Sequence, residues 1–493
     1  MMSVVRGETH ATEYEAVIGF EVHVELATAT KLFCSCPTTF GAPPNAHTCP
    51  ICLGHPGMLP LLNERAVEYA LRATLAFGCE IERCVRFDRK QYFYHDLPKA
   101  YQISQIHAPI GRNGSLTIDV GGRSKVIRIR EIHLEEDAGK SIHLLGDGDN
   151  ATLIDFNRSG IPLIEIVTEP DISSPEEARA FLEELRLTIL YLGISDVRME
   201  EGSLRADANI SVRPKGSPVF GAKVEVKNLN SISGVERAVA YEIERQISLL
   251  RRGERVVSET RRWDEDLRRT FSMRQKFGGF DYRPIHEPEV VPYVLEESYI
   301  ERIRAELPEL PKERRRKFQE TYGLSAYDAG VLTANRELSD LFEAGVREGA
   351  PPKPLANWLM SEFLGYVNER GLAVRDVPIT PRQWAELLAL IENGTISTNI
   401  AKAVFQRMAE SGRDPREIVE AEGLVQIADP KALREIVDRV LAANPKSVED
   451  YRKGKEKALG FLVGQVMRET RGKAHPELVN QLLREALGEP GGA

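Results

Sequence analysis

Two hydrophobic periods divide this sequence, and the change between them limits the folds open to it. From about residue 15 to 290, apolar and polar residues mostly alternate. VIGFEVHVEL, KVIRIREIHLEE, TLIDFNRSGIPLIEIV, ADANISVRP and AKVEVKNLN read as strands punctuated by Gly, Pro and Asn turns. Only a few helices interrupt them, such as one after Asn63 and one after Ser174, where Pro175 and two glutamates make a good start. Near Pro292 the alternation gives way to helical spacing, as in LANWLMSEFLGYV and PRQWAELLALIENG. Strands first and helices later predict an α+β chain: a sheet-rich domain over 1–292, a helical domain over 293–410 and a small helical tail over 411–493. No internal repeat is apparent, which excludes solenoids.

At 493 residues, 42% hydrophobic and 28% charged, the chain can bury ample core in several domains. No stretch approaches the ~20 apolar residues of a membrane span, and the N-terminal segment lacks the apolar run of a signal peptide, so a cytoplasmic protein without membrane contact is expected. The net charge of −9 leaves any polyanion binding to local basic surface. One such surface is the tail. Between 452 and 473 lie seven basic residues (Arg452, Lys453, Lys455, Lys457, Arg468, Arg471, Lys473) against Glu456 and Glu469, flanking an apolar stripe at Leu459, Leu462, Val463, Val466 and Met467. The run Lys312 to Lys317 is read as a solvated helix face.

Four of the six cysteines fall between 34 and 52. Cys34 and Cys36 form one knuckle and Cys49 and Cys52 another, with Gly and Pro turns between them, as a tetrahedral zinc site requires. Four thiolates leave no open position for water, so this zinc is expected to be structural. Cys79 and Cys84 are expected to be packed thiols.

Alternation puts Glu21, His23 and Glu25 on one face of a strand and Phe20, Val22 and Val24 on the other. Taken alone, the ionisable face reads equally as a wet surface or as ligands for magnesium or manganese. Glu165 tips the balance, because it interrupts the apolar run Ile161-Pro162-Leu163-Ile164, a costly placement without a cation or hydrogen bonds. The same reasoning places Arg128, Arg130 and Glu136 on one face and His133 and Glu135 on the other, and groups Lys223, Glu225 and Lys227. Nucleotide and hydrolase motifs fail inspection. Asp137-Ala138-Gly139-Lys140-Ser141 lacks the first glycine of a phosphate loop, since Leu134 stands there, and Gly146-Asp147-Gly148 reads as a hairpin turn. No hydrolytic nucleophile motif is present.

Taken together, IGFEVHVEL at 18–26, the cysteine knot, FDRKQYFYHDLPKAYQISQ at 87–105, HLEEDAGKS at 133–141, DFNRSGIPLIEIVTEPDI at 155–172, VRMEEGSLRADANISVRP at 197–214, KVEVKNLNS at 223–231 and the block 454–483 resemble one family. It is the B subunit of the tRNA-dependent aspartyl/glutamyl amidotransferase. The resemblance implies a catalytic cradle similar to glutamine synthetase and the guanidino kinases. It also implies ATP and Mg2+ (or Mn2+) as cofactors for phosphorylating the side-chain carboxylate of Glu-tRNA(Gln) or Asp-tRNA(Asn). Ammonia from a partner amidase (A) subunit then gives Gln-tRNA(Gln) or Asn-tRNA(Asn), with a small C subunit completing the complex and the tail contacting tRNA. Residue by residue, it implies catalytic roles for Glu21, His23, Glu136, Glu165 and Glu225, with His23, Glu136 and Glu165 as metal ligands. Lys90, Lys99, Arg158 and Arg205 become ligands for phosphates or substrate carboxylate, against the competing reading of structural ion pairs. Where the family commonly reads DYRYFPEPD, this chain has Asp281-Tyr282-Arg283-Pro284-Ile285-His286-Glu287-Pro288-Glu289 after the glycine-rich Phe277–Phe280, so residues 284–286 receive no role. The rival readings are a noncatalytic RNA-binding scaffold and an amide ligase acting on free glutamate.

Overall fold

The computed structural model describes residues 13–144, 151–275, 282–425, 429–455, 457–470 and 472–488. Gly146-Asp147-Gly148, Phe277–Asp281, Glu456 and Arg471 lie outside the described residues. The chain forms two compact units, Met1–Leu310 and Pro311–Ala493.

The first unit is built on a nine-stranded mixed sheet. The strand Tyr14–Glu25 is antiparallel to Pro162–Thr168 on one side and to Leu204–Pro214 on the other. Beyond Pro162–Thr168 come Arg123–Glu136, Gly111–Val120 and Glu80–Ile81; beyond Leu204–Pro214 come Val224–Lys227, Glu259–Asp264 and Arg269–Gln275. Val224–Lys227 and Glu259–Asp264 pair in parallel, which demands a long crossover. The helix Ile232–Arg251 supplies it, capped by the Ser231 hydroxyl. Pro175–Leu192 crosses the central strand in the same way. Its Ser174 cap accepts from the Glu177 amide, and Gly193 closes it at φ 68°.

Alternation along the central strand sorts its side chains as the sequence predicts. Ile18, Phe20, Val22 and Val24 are buried against the helices, while Glu21, His23 and Glu25 take the opposite, partly open face. Phe181, Leu182, Leu185 and Ile189 of the helix Pro175–Leu192 are fully buried beneath the sheet, and Phe181 stacks on Phe20 with centroids 5.8 Å apart. Burial of each such side chain contributes ~1.5–3 kcal/mol. The change of period near Pro292 precedes the end of this unit, because Glu297–Ala305 buries Ile300 and Ile303 in the same core.

The expected parity along Arg123–Glu136 is broken by a register shift opposite Val167 and Thr168. Ile127 and Ile129 are buried before it and Ile132 and Leu134 after it, so the apolar face changes from odd to even positions. Arg128 and Arg130 therefore do not share a face with Glu136. Arg128 pairs instead with Asp171 at 2.7 Å.

The second unit is helical and holds two apolar clusters. The larger is organised by aromatic contacts among Trp358, Phe363, Trp384 and Phe405. The smaller buries Leu459, Leu462 and Val466, with Val463 and Met467 partly buried, on the helix Lys457–Glu469. No helix among the described residues is long and apolar enough to cross a membrane.

Phe181→Ala is expected to destabilise the first unit by ~3–5 kcal/mol, whereas Glu183→Ala, on the exposed face of the same helix, costs roughly 0.5 kcal/mol or less. Urea midpoints followed by tryptophan fluorescence and circular dichroism measure the difference.

Candidate functional site

Directly opposed residues on neighbouring antiparallel strands project from the same face. His133, Glu165, His23 and Arg205 thus form a row across four strands, through the pairs Glu165 with His133, His23 with Glu165 and His23 with Arg205. Glu21 opposes Asp207 in the neighbouring row. Two groups of candidate ligands result. In the first, the donor atoms of His23, Glu135 and Glu165 lie within 4.8 Å of one another, and His23 Nε2 stands 3.8 Å from each carboxylate. In the second, oxygens of Glu21, Asp207 and Glu225 meet the same limit. Hydrogen bonds aim this second set: Asn209 Nδ2 donates to Glu21 at 3.1 Å and Thr260 Oγ1 to Glu225 at 2.8 Å. Lys227 pairs with Asp207, and lies 3.3 Å from Glu225.

Electrostatics mark both groups as short of positive charge. Burial, then the neighbouring Glu135, push the Glu165 carboxyl up to about 7, with His133 and Lys90 opposing. Burial also raises Asp207; Lys227 works against it, while Glu225 and Glu21 add to the rise. Burial and the Arg205 cation hold His23 down at about 3, so its imidazole is neutral and able to ligate. A divalent cation among these groups would offset the carboxylate repulsion. Oxygen donors with one neutral imidazole suit Mg2+ or Mn2+, so the residues present fit such an ion.

The structure does not bring every expected residue to these groups. Glu136 points away. Its Oε1 accepts from the Ile103 amide at 2.9 Å and pairs with Lys99, and the two line a cleft with Lys31, Cys52, Arg89 and Gly160. Glu135 stands beside His23 instead, with Ser104 Oγ donating to its Oε2 at 2.9 Å. The register shift explains the exchange, since it turns the odd positions after residue 130 towards the ionisable face. Arg205 and Arg158 converge on the buried Asp137 at 2.7 and 3.5 Å, and Arg158 also donates to the carbonyls of Ala138 and Gly139. Asp137 in turn helps burial push Glu25 up to about 8, which makes Glu25 part of this anchor. Lys90 also acts on the ionisable face: its charge bears on both His23 and Glu165, and its Nζ lies 4.9 Å from the Tyr282 ring centroid. Sequence reasoning assigned no role to Glu135, Asp207 or Asp137. The alternation Arg205, Asp207, Asn209 was the available signal for Asp207, and it becomes informative once the partner strand is known.

The four Sγ atoms of Cys34, Cys36, Cys49 and Cys52 also gather within 4.8 Å, and none is in a disulfide. Hydrogen bonding from Cys34 holds the Cys52 thiol down at about 4, with the Cys49 amide and Lys31 assisting, while Cys34 itself is pushed up. Lys31 is fully buried. It donates to the His47 and Phe156 carbonyls at 2.7 and 3.1 Å and lies 3.8 Å from Cys52 Sγ, tying the knot to the first unit's core. A four-sulfur donor set of this closeness fits a closed tetrahedral zinc. Cys79 lies apart and buried, pushed up to about 12 by burial; a Cβ on Gly114 would overlap its sulfur, so that close approach requires glycine.

Comparison with known proteins adds the family. Residues 16–301 match the profile described as the GatB/GatE catalytic domain, and residues 340–487 match a GatB domain profile. A protein of Carboxydothermus hydrogenoformans is 55% identical over 481 residues, covering 97% of this chain and 99% of its own. Relatives from Brevibacillus brevis (53% over 476 residues; 97% and 99%) and Moorella thermoacetica (54% over 475 residues; 96% and 100%) are similar to a comparable degree. All three are named as the B subunit of an aspartyl/glutamyl-tRNA(Asn/Gln) amidotransferase. With that identity running through both units, the chain belongs to the family of B subunits of these ligase-type enzymes.

Proposed function

We propose that the ionisable face of the nine-stranded sheet is the site where the side-chain carboxylate of Glu-tRNA(Gln), Asp-tRNA(Asn) or both is phosphorylated by ATP and then amidated. A cradle similar in plan to glutamine synthetase and the guanidino kinases would suit this chemistry. The observation that carries the reading is the pair of ligand groups, His23/Glu135/Glu165 and Glu21/Asp207/Glu225, on adjacent rows of one face. Divalent cations bound there would neutralise charge building on the transferred phosphoryl oxygens. The chain's own residues do the rest. His23, Glu135, Glu165, Glu21, Asp207 and Glu225 would hold the ions; Asn209, Thr260 and Ser104 orient the carboxylates of Glu21, Glu225 and Glu135; Lys90 presents an ammonium to an incoming phosphate or carboxylate. In the reaction, an oxygen of the substrate carboxylate takes the γ-phosphoryl group and ADP leaves. Ammonia then attacks the acyl carbon and expels phosphate.

Several further assignments belong to the same reading. The ammonia comes from glutamine through an amidase (A) subunit, with a small C subunit in the complex, in the cytoplasm. The cysteine knot carries a structural zinc. The helix Lys457–Glu469 and its basic flanks contact the tRNA. The buried, mutually repelling carboxylates favour this enzyme over a noncatalytic RNA scaffold, for which they would be an uncompensated cost.

The test is the reconstituted complex with misacylated tRNA, ATP and Mg2+, supplied with glutamine or with ammonium. Glu165→Ala and Glu135→Ala are each expected to lower amidated product by ~100-fold or more with either donor, the scale of losing one electrostatic stabiliser. Glu136→Gln should leave the Mg2+ dependence unaltered. Normal ammonium-dependent turnover in Glu165→Ala would remove the metal assignment. At the cysteine knot, Cys52→Ser should release one zinc per chain by elemental analysis and lower the Tm by ~5–10 °C, while Cys84→Ser does neither.

A further inference from the structure

A fourth cluster of ligand-type side chains stands outside both groups on the sheet and outside the cysteine knot. It lies on a small three-stranded sheet ordered Ile285–His286, Asp88–Gln91, Tyr101–Ser104. His286 directly opposes Asp88 across one pair of strands, and Ser104 opposes it across the other. Three residues past Ser104 the chain returns, and the His107 amide donates to Asp88 Oδ2 at 2.8 Å. Both imidazoles then converge on a single oxygen, with His107 Nδ1 and His286 Nδ1 at 2.8 and 2.9 Å from Asp88 Oδ1. One donor atom from each of the three residues lies within 4.8 Å of the others.

The burial pattern is that of a seat open on one side. The Asp88 side chain is 2% exposed, whereas those of His107 and His286 are 47% and 68% exposed. The two rings meet edge to face with centroids 5.3 Å apart. Burial by itself would raise the Asp88 carboxyl, but the His107 and His286 hydrogen bonds hold it below its ordinary value, so it is ionised. An ionised, buried carboxylate flanked by two solvent-accessible imidazoles is a nitrogen-rich donor set. It differs in kind from the oxygen-rich groups that suit magnesium and from the all-sulfur knot.

We propose that Asp88, His107 and His286 form a separate binding site for a borderline divalent transition metal of the zinc class. With each ring proton on Nε2, the two Nδ1 lone pairs and an Asp88 oxygen face the ion. Three protein ligands leave a fourth position for water. The bound ion cross-links Ile285–His286 to Asp88–Gln91, the strand that carries Lys90. It therefore stiffens the same segment that sets Tyr282, whose carbonyl accepts from the Gln91 amide at 3.1 Å, against the Lys90 ammonium. His286 lies in the stretch to which the sequence alone assigned no role.

The experiment uses the full-length chain with Mg2+ in excess, so that the oxygen-rich groups are filled, and zinc as the probe. Elemental analysis after gel filtration, together with calorimetric zinc titration, should show one zinc per chain beyond the cysteine-bound ion. His286→Ala and His107→Ala should each weaken that additional site by ~100-fold or more, since loss of even an outer-shell partner costs ~10–100-fold. Both variants should retain the cysteine-bound zinc, and unchanged circular dichroism should show that they fold. Replacing zinc by cobalt gives a second readout. The additional site should contribute only weak visible bands, without the intense sulfur-to-cobalt absorption of the knot, and the histidine substitutions should remove them. Equal zinc content and equal titrations in the unsubstituted chain and both variants would overturn the proposal and leave a hydrogen-bonded clasp.

Discussion

Everything in the first unit depends on one sheet being apolar on one face and ionisable on the other. The helices Pro175–Leu192 and Ile232–Arg251 bury the apolar side, and this burial supplies the free energy that holds the charged side in place. Carboxylates such as Glu165 and Asp207 would not gather on a freely relaxing surface, because repulsion and desolvation raise both. They gather here because the hydrogen-bond ladder that presents them is fixed from behind. Folding energy is thereby stored in a constellation of crowded, buried carboxylates.

The same logic accounts for the anchors at the end of the ionisable face. Asp137 lies fully within the protein, and Arg205 and Arg158, which the family resemblance offers to phosphates or the substrate carboxylate, both close on it beside the ionisable face. Gly160, at φ 89°, lets that turn close: its amide donates to the Asp137 carbonyl and its own carbonyl accepts from Leu32. Lys31 completes the link from turn to cysteine knot through the Phe156 carbonyl and Cys52. The knot is thus continuous with the sheet.

How much was legible in the sequence follows from how local each signal is. Helix starts at Asn63 and Ser174 are written in adjacent residues, and the structure places the cap hydrogen bonds there. The opposed faces of Tyr14–Glu25 need only the period of two. The parity of Arg123–Glu136 was misread because a single bulge, invisible to alternation, exchanged Glu136 for Glu135 at the site.

By itself the sequence determined the alternation that separates Phe20, Val22 and Val24 from Glu21, His23 and Glu25, the isolated carboxylate Glu165 in an apolar run, the spacing of four cysteines and the family to which these blocks belong. Only the tertiary structure decided which carboxylates meet: Glu135 and Glu165 at His23, Asp207 and Glu225 at Glu21, and Asp88 beneath two histidines from distant segments. The physical reason is that side-chain direction along a strand is a local property of the backbone. Convergence across strands depends on register, which is set by hydrogen-bond pairing between segments remote in the chain.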